Sequence, residues 1–349
     1  MSPQLAALLE RTSPLGASDL FLAAGRPPIL RENGELSEID QRPLPQEIIE
    51  ELFALCDTDP AEVRDRDIGL QIPGGLRFRA NLHRRSGQPA AVLRHVRSQV
   101  PTMDTLGLPE QLLTRWLTRP SGFILVTGST GSGKSTTIAS CLEWINAQMT
   151  RHIVTIEDPI EYVFSDRRSF FTQREVGGDT DTFATGLRSA LRQSPDVIFL
   201  GEIRDRTTAT IALQAAETGQ LVVSSMQSLS VRDTFARMTN LFAEADRAAV
   251  LDLLAYQLIG CICQQLIPGP RGLFLALEHM ENVGATRQYI RDGEPDRLSD
   301  HLRGRQTAEN TTFLSSLIQG CQQGRITPEV GMAASGNEIE FARSLRGIA

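Results

Sequence analysis

Nine consecutive residues, Gly128, Ser129, Thr130, Gly131, Ser132, Gly133, Lys134, Ser135 and Thr136, read "GSTGSGKST" and fit the pattern G-x-x-x-x-G-K-[ST]. Glycines at this spacing let the backbone curl so that successive N–H groups face phosphate oxygens, and a helix starting at the loop adds its partial positive charge. Lys134 is then placed to neutralise the β- and γ-phosphates, and Ser135 to ligate Mg²⁺. The stretch predicts a nucleoside triphosphate site. Such a loop needs carboxylates opposite it to hold the magnesium shell and prepare the attacking water. "VTIEDPIEYV" supplies Glu157 at a strand end and Glu161 just past Pro159, and "PDVIFLGEIRD" supplies Glu202. Ser135, Glu157 and Glu202 are the expected magnesium ligands, direct or through water, and Glu202 is the expected water-polarising residue. The competing reading makes Glu157, Glu161 and Glu202 helix-capping or surface acids. Arg204 and Asp205 are expected to pair with each other or with a neighbouring subunit. Gln227, in "TGQLVVSSMQS", ends an apolar run that needs no glutamine if it is only a buried strand.

The elements that must position these groups are visible as texture. "GFILVTG", "HIVTIED", "DVIFLGE" and "GQLVVSSM" alternate with longer helix-like segments, the signature of βαβ units around a parallel sheet. They are apolar without alternation because both faces of such a sheet are covered. Ligands of open α/β sheets bind at the carboxyl ends of the strands, the edge on which the loop and both acids fall. Residues 1–100 read differently, as short segments punctuated by "GRPP", "ENGE", "PGG" and "SGQP". In "LRFRANLH", Leu76, Phe78, Ala80 and Leu82 alternate with Arg77, Arg79, Asn81 and His83, a half-buried strand, and "AAVLRHVR" returns after the turn at Ser86–Pro89. The expectation is an α/β chain: a small α+β domain over 1–100, a linker near Pro101, and an ATPase-type sheet domain over 101–349 whose closing segment from about 285 is helical.

Composition bounds the reading. The chain has 349 residues and 41% hydrophobic content, enough for two core-bearing domains. No run approaches the roughly 18 apolar residues of a membrane span, and the start lacks signal-peptide character, so a cytosolic protein is expected. A net charge of −7 with three Tyr and two Trp argues against a nucleic-acid translocase, and no stable nucleic-acid binding is expected. Five scattered cysteines indicate reduced thiols, and the Cys261-x-Cys263 pair reads as buried small side chains rather than a zinc site.

The order "GSTGSGKSTT", "TIEDPIEYV", "QREVGGDTDTFATGLRSALRQSPDVIFLGEIRD", "AAETGQLV" resembles the PilT/PilU group of type IV pilus retraction ATPases, within the secretion-type hexameric ATPases. The likeness reaches both ends, through "SDLFLAAGRPPILRENGEL", similar to that group's PAS-like N-terminal domain, and through "ATRQYIRDG" and "NTTFLSSLIQGCQQGRITPE". The resemblance implies a PAS-like domain followed by a RecA-like one, and a homo-hexamer that hydrolyses ATP with Mg²⁺ while its N-terminal domains move against neighbouring C-terminal ones. It also implies an inner-membrane pilus platform protein as partner, a paralogous retraction ATPase as a possible second one, and twitching motility or DNA uptake as the output. Carried over, Lys134 and Ser135 are the phosphate-loop pair, Glu157 and Glu161 belong to an acidic box, Glu202 is the catalytic glutamate, and Arg77, Arg79, Arg94 and Arg97 are candidates to reach the nucleotide. A solvated basic strand face is the alternative for each arginine. The sequence departs from the group where two histidines are expected, at Gln220 and Gln227. An amide can donate to a γ-phosphate oxygen but cannot become cationic, so two readings stand: an active motor, or an ATP-binding accessory subunit of low turnover.

Overall fold

Short polar turns between half-apolar strands build the first unit. The computed structural model describes residues 1–12, 19–32, 35–73, 76–96, 99–304, 307 and 309–347. Arg97 and the glycines of the "ENGE" and "PGG" turns lie outside them. The first unit takes in Met1–Gln99 together with two later segments, Asp158–Phe164 and Glu175–Asp181. Its elements are α1 (Pro3–Thr12), β1 (Asp19–Ala23), β2 (Ile29–Glu32), β3 (Glu35–Glu38), α2 (Gln46–Leu55), β4 (Asp65–Gln71), β5 (Arg77–Arg85) and β6 (Gln88–Val96). The strands form one sheet in the order β3-β2-β1-β6-β5-β4, with every pairing antiparallel. Ser86 and Gly87, at φ 50° and 82°, form the two-residue turn joining β5 to β6, the conformation that matches strand twist. The alternation in β5 is realised: Phe78, Ala80 and Leu82 are fully buried against Leu9, Leu20, Ile49, Leu52 and Phe53, while the arginines take the other face.

The second unit comprises Val100–Glu157, Ser165–Arg174 and Thr182–Ala349. Its elements are α3 (Met103–Leu106), α4 (Glu110–Leu117), β7 (Gly122–Gly128), α5 (Lys134–Gln148), β8 (His152–Glu157), β9 (Phe170–Glu175), α6 (Phe183–Ala190), β10 (Val197–Leu200), α7 (Arg206–Glu217) and β11 (Leu221–Met226). There follow α8 (Val231–Asn240), α9 (Glu244–Gln257), β12 (Leu258–Gly269), β13 (Gly272–Glu281), α10 (Ala285–Arg291), α11 (Pro295–Gly304), β14 (Asn310–Thr311), α12 (Phe313–Gln322), α13 (Pro328–Ser335) and α14 (Glu338–Leu345). The sheet order is β14-β13-β12-β7-β11-β10-β8-β9. From β12 to β8 the pairings are parallel, and β13 and β14 extend that edge antiparallel. The four apolar runs of the sequence are β7, β8, β10 and β11, and β7, β10 and β11 are buried throughout. A separate small core of Ile267, Phe274, Leu317, Ile326 and Phe341 seats the closing helices on β12 and β13. Cys261 and Cys263 are free and buried, and burial pushes the Cys263 thiol up to about 12, which keeps it protonated. Among the described residues no helix is long and apolar enough to cross a membrane.

Candidate active site

The glycine loop begins where β7 ends. Gly128 has φ 147°, a conformation L side chains rarely adopt, and a Cβ on it would lie 2.5 Å from the Gln264 carbonyl oxygen. Gly133, at φ 88°, is the N-cap of α5, and no side chain closes that cap. The positive end of a 15-residue helix therefore lies at the loop. Lys134 Nζ donates to the carbonyls of Gly128 at 3.1 Å and Ser129 at 2.8 Å, so its ammonium lies across the loop itself. Ser135 and Thr136 open the helix, half-buried beside it.

Parallel register brings the other groups to the same sheet edge. Met226 pairs with Thr127, which sets Gln227 level with Gly128, and Ile156 pairs with Leu200, which sets Glu157 level with Gly201. Glu157 is 6% exposed, and its Oε1 accepts from Thr155 Oγ1 at 2.7 Å and Gln173 Nε2 at 3.3 Å. The small polar residues at the end of β11 have structural work: Ser224 Oγ donates to the Leu200 carbonyl at 2.7 Å and Ser225 Oγ to that of Gly201 at 2.6 Å. These bonds fix the backbone that presents Glu202. Gln227 is exposed, while Ser228 is buried and bonded to Thr234, whose hydroxyl in turn donates to Thr127 Oγ1 at 3.2 Å. Gln220 belongs to the opposite end of β11, where its Oε1 accepts from Thr218 Oγ1 at 3.0 Å.

Arg204 and Asp205 depart from the expected pairing. Asp205 is the N-cap of α7 and accepts from Thr208 N at 2.9 Å, while Arg204 Nε donates to Glu202 Oε2 at 2.8 Å. A capping carboxylate is held by two donors of its own helix start, which leaves the guanidinium to the glutamate two residues earlier.

The remaining candidates lie in the first unit. Glu161 falls in Asp158–Phe164 and is exposed. Arg77 Nη2 donates to Glu175 Oε2 at 2.8 Å, a carboxylate that also accepts from Ile160 N at 3.2 Å. Arg79 lies 3.7 Å from Asp67, and Arg94 donates to the buried Asp19 at 2.9 Å. The structure thus spreads these arginines over three separate carboxylates rather than gathering them.

Two residues beside the loop and the acids escaped the motif reading. Gln173 holds Glu157, and Gln264, fully buried on β12, donates from Nε2 to the Ser132 carbonyl at 2.7 Å. The signal for Gln264 was a polar pair inside the apolar run "LIGCICQQLIP". Among the described residues no group of three or more His, Cys, Asp and Glu could hold a metal. A hydroxyl and one or two carboxylates completed by water and phosphate are what Mg²⁺ uses, so Ser135, Glu157 and Glu202 fit that ion.

A parallel sheet with a glycine loop opening a helix and acids at neighbouring strand ends, preceded by a smaller antiparallel sheet unit, is the mixed α/β architecture of the secretion ATPases. The Type II/IV secretion system protein family model matches residues 7–323. The Type IV pilus retractation ATPase PilT of Pseudomonas aeruginosa is 40% identical over 291 residues, covering 82% of this chain and 84% of that protein. The Type IV pilus ATPase PilU of the same organism is 34% identical over 325 residues, 91% of this chain and 85% of its own length. A crystal structure of the pilus retraction motor PilT with bound ADP superposes with a TM-score of 0.88 at 38% identity, covering 98% of this chain and all of that one. The chain belongs to the Type II/IV secretion system protein family, and its likeness within it is to the PilT/PilU group.

Proposed function

We propose that this chain is an ATP-hydrolysing motor subunit that powers type IV pilus retraction. The observation that carries the reading is the glycine loop of 128–136 on the same sheet edge as Glu157 and Glu202, in a chain whose relatives are named as pilus ATPases. In this reading the amides at the start of α5 and the Lys134 ammonium bind the phosphates. A phosphate oxygen is a stronger acceptor for that ammonium than the carbonyls of Gly128 and Ser129. Ser135, Glu157 and Glu202 would hold Mg²⁺, which would supply positive charge at the β- and γ-phosphates. Glu202 orients the attacking water and takes its proton, and Arg204, bonded to it, sets the carboxylate's direction. Gln227 donates an amide hydrogen bond to the γ-phosphate. Of the arginines, Arg77, Arg79 and Arg94 are the described candidates to stabilise the transferring phosphoryl group. The working form is a homo-hexamer in the cytoplasm, docked on the inner-membrane platform of the pilus machine, with twitching motility or DNA uptake as the output.

The exposed Gln227 favours one second reading, an accessory subunit that binds ATP with little turnover and supports an active paralogue. Replacing a charge-stabilising donor costs about 10²–10³-fold in rate, which is the gap between the two readings. Gln227→His separates them when steady-state ATP hydrolysis is measured on the purified protein. A rise of ten-fold or more is expected of a motor with a weakened donor; a parent and variant both without turnover support the accessory reading.

A further inference from the structure

We infer that Gln264 is a positioning residue of the phosphate loop, one whose side-chain amide fixes the Ser132–Gly133 peptide so that the Gly133 N–H is turned toward the phosphate side. Gln264 sits on β12, paired in parallel register with Gly128 of β7, directly beneath the loop. Its side chain is fully buried, and its nitrogen lies 2.7 Å from the Ser132 carbonyl, which only a donor can satisfy. In a trans peptide the C=O and the following N–H point in opposite directions. Holding the Ser132 oxygen down onto Gln264 therefore turns the Gly133 N–H away from the sheet. Both glycines that flank the loop are shaped by this residue: a Cβ on Gly128 would lie 2.5 Å from the Gln264 carbonyl oxygen, and one on Gly133 would lie 3.2 Å from Nε2.

The second observation is an asymmetry. Oε1 of Gln264 is buried with no hydrogen-bond partner, and so is Ser132 Oγ. An unpaired buried polar atom costs free energy, so the bond the other end makes must offset it. Here the one end in use faces the loop.

The inference rests on the reading that this loop binds nucleotide, and the test separates the two. Gln264→Met keeps length and removes the donor; Gln264→Glu is isosteric and sets a carboxylate oxygen against a carbonyl oxygen. Three quantities are measured on the full chain: affinity for ADP by calorimetry, amide hydrogen exchange of residues 128–135 without nucleotide, and Tm. We expect both variants to bind ADP ten-fold or more weakly at pH 8 and to exchange the loop amides faster, with the Tm of Gln264→Met within about five degrees of the parent. At pH 5.5 the carboxyl introduced by Gln264→Glu takes up a proton, its O–H can donate to the Ser132 carbonyl, and affinity recovers for that variant but not for Gln264→Met. Binding within two-fold of the parent with unchanged loop exchange overturns the proposal. So does a fall in Tm with exchange raised evenly along the chain, or outright loss of the fold in both variants, since either marks a core residue. A parent that does not bind ADP, with loop exchange still raised in the variants, sinks the nucleotide reading and leaves the positioning role standing.

Discussion

The glycine loop of the second unit and the arginine face of the first were both expected from short sequence patterns, and they differ in what those patterns determined. In the loop, nine contiguous residues announce the site, with the buried Gln264 the one distant side chain argued to steady it, and parallel register delivered Glu157, Gly201 and Gln227 to the level of the strand ends. On β5 and β6 the period of two determined only the face. The partner of each arginine came from elsewhere: Glu175 for Arg77, 98 residues away, Asp19 for Arg94, 75 residues away, and Asp67 for Arg79. A chemistry carried by backbone amides is local and legible, whereas one carried by long cationic side chains depends on which carboxylate lies within reach.

Lys134→Ala tests the local half and carries the largest effect. Loss of the ammonium is expected to reduce ATP turnover by about 10³-fold or more while thermal stability holds, since the lysine is half-buried and its ammonium donates to loop carbonyls. Parent-like hydrolysis breaks the assignment of the loop. The arginine half is tested by stability. The Arg77 and Glu175 side chains are 18% and 10% exposed, so Arg77→Ala strands a nearly buried carboxylate and is expected to cost about 3 kcal/mol in urea unfolding. Arg79→Ala is the smallest effect: with side chains 44% and 58% exposed at 3.7 Å, its pair with Asp67 is worth less than about 1 kcal/mol. Equal costs for the two would show that burial does not rank these arginines.

Much of the fold was open to reading. The alternation of "LRFRANLH" predicted the buried Phe78, Ala80 and Leu82, and the four apolar runs marked β7, β8, β10 and β11 because sheets covered on both faces need no polar alternation. Hidden in the sequence were features that depend on three-dimensional closure. Asp158–Phe164 and Glu175–Asp181 group with the first unit although flanked in sequence by the second, and Glu175 reads as one more acid of "QREVGG" until Arg77 and Ile160 are seen on it. Gly69 is a similar case: a Cβ there would lie 2.6 Å from Arg77 Nη2 and 2.7 Å from Glu175 Oε1, so the residue is small to admit an ion pair no local pattern announces. Arg204 and Asp205 were expected to pair with each other or with a neighbouring subunit; within the chain the helix start of α7 uses the Asp205 carboxylate and Arg204 lies on Glu202. Gln227 was legible as out of place, and its register with Gly128 gives the reason a phosphate is its proposed neighbour.

The central claim is that Glu202, presented by the Ser224 and Ser225 hydroxyls at the end of β10, prepares the water for ATP hydrolysis on the loop. Steady-state hydrolysis and ATP affinity of the parent beside Glu202→Gln test it most directly. The account predicts measurable turnover in the parent, a fall of about 10²–10⁴-fold in the variant, and ATP affinity within a few-fold of the parent. Equal turnover in the two proteins, or loss of ATP binding in the variant with its fold intact, would contradict it.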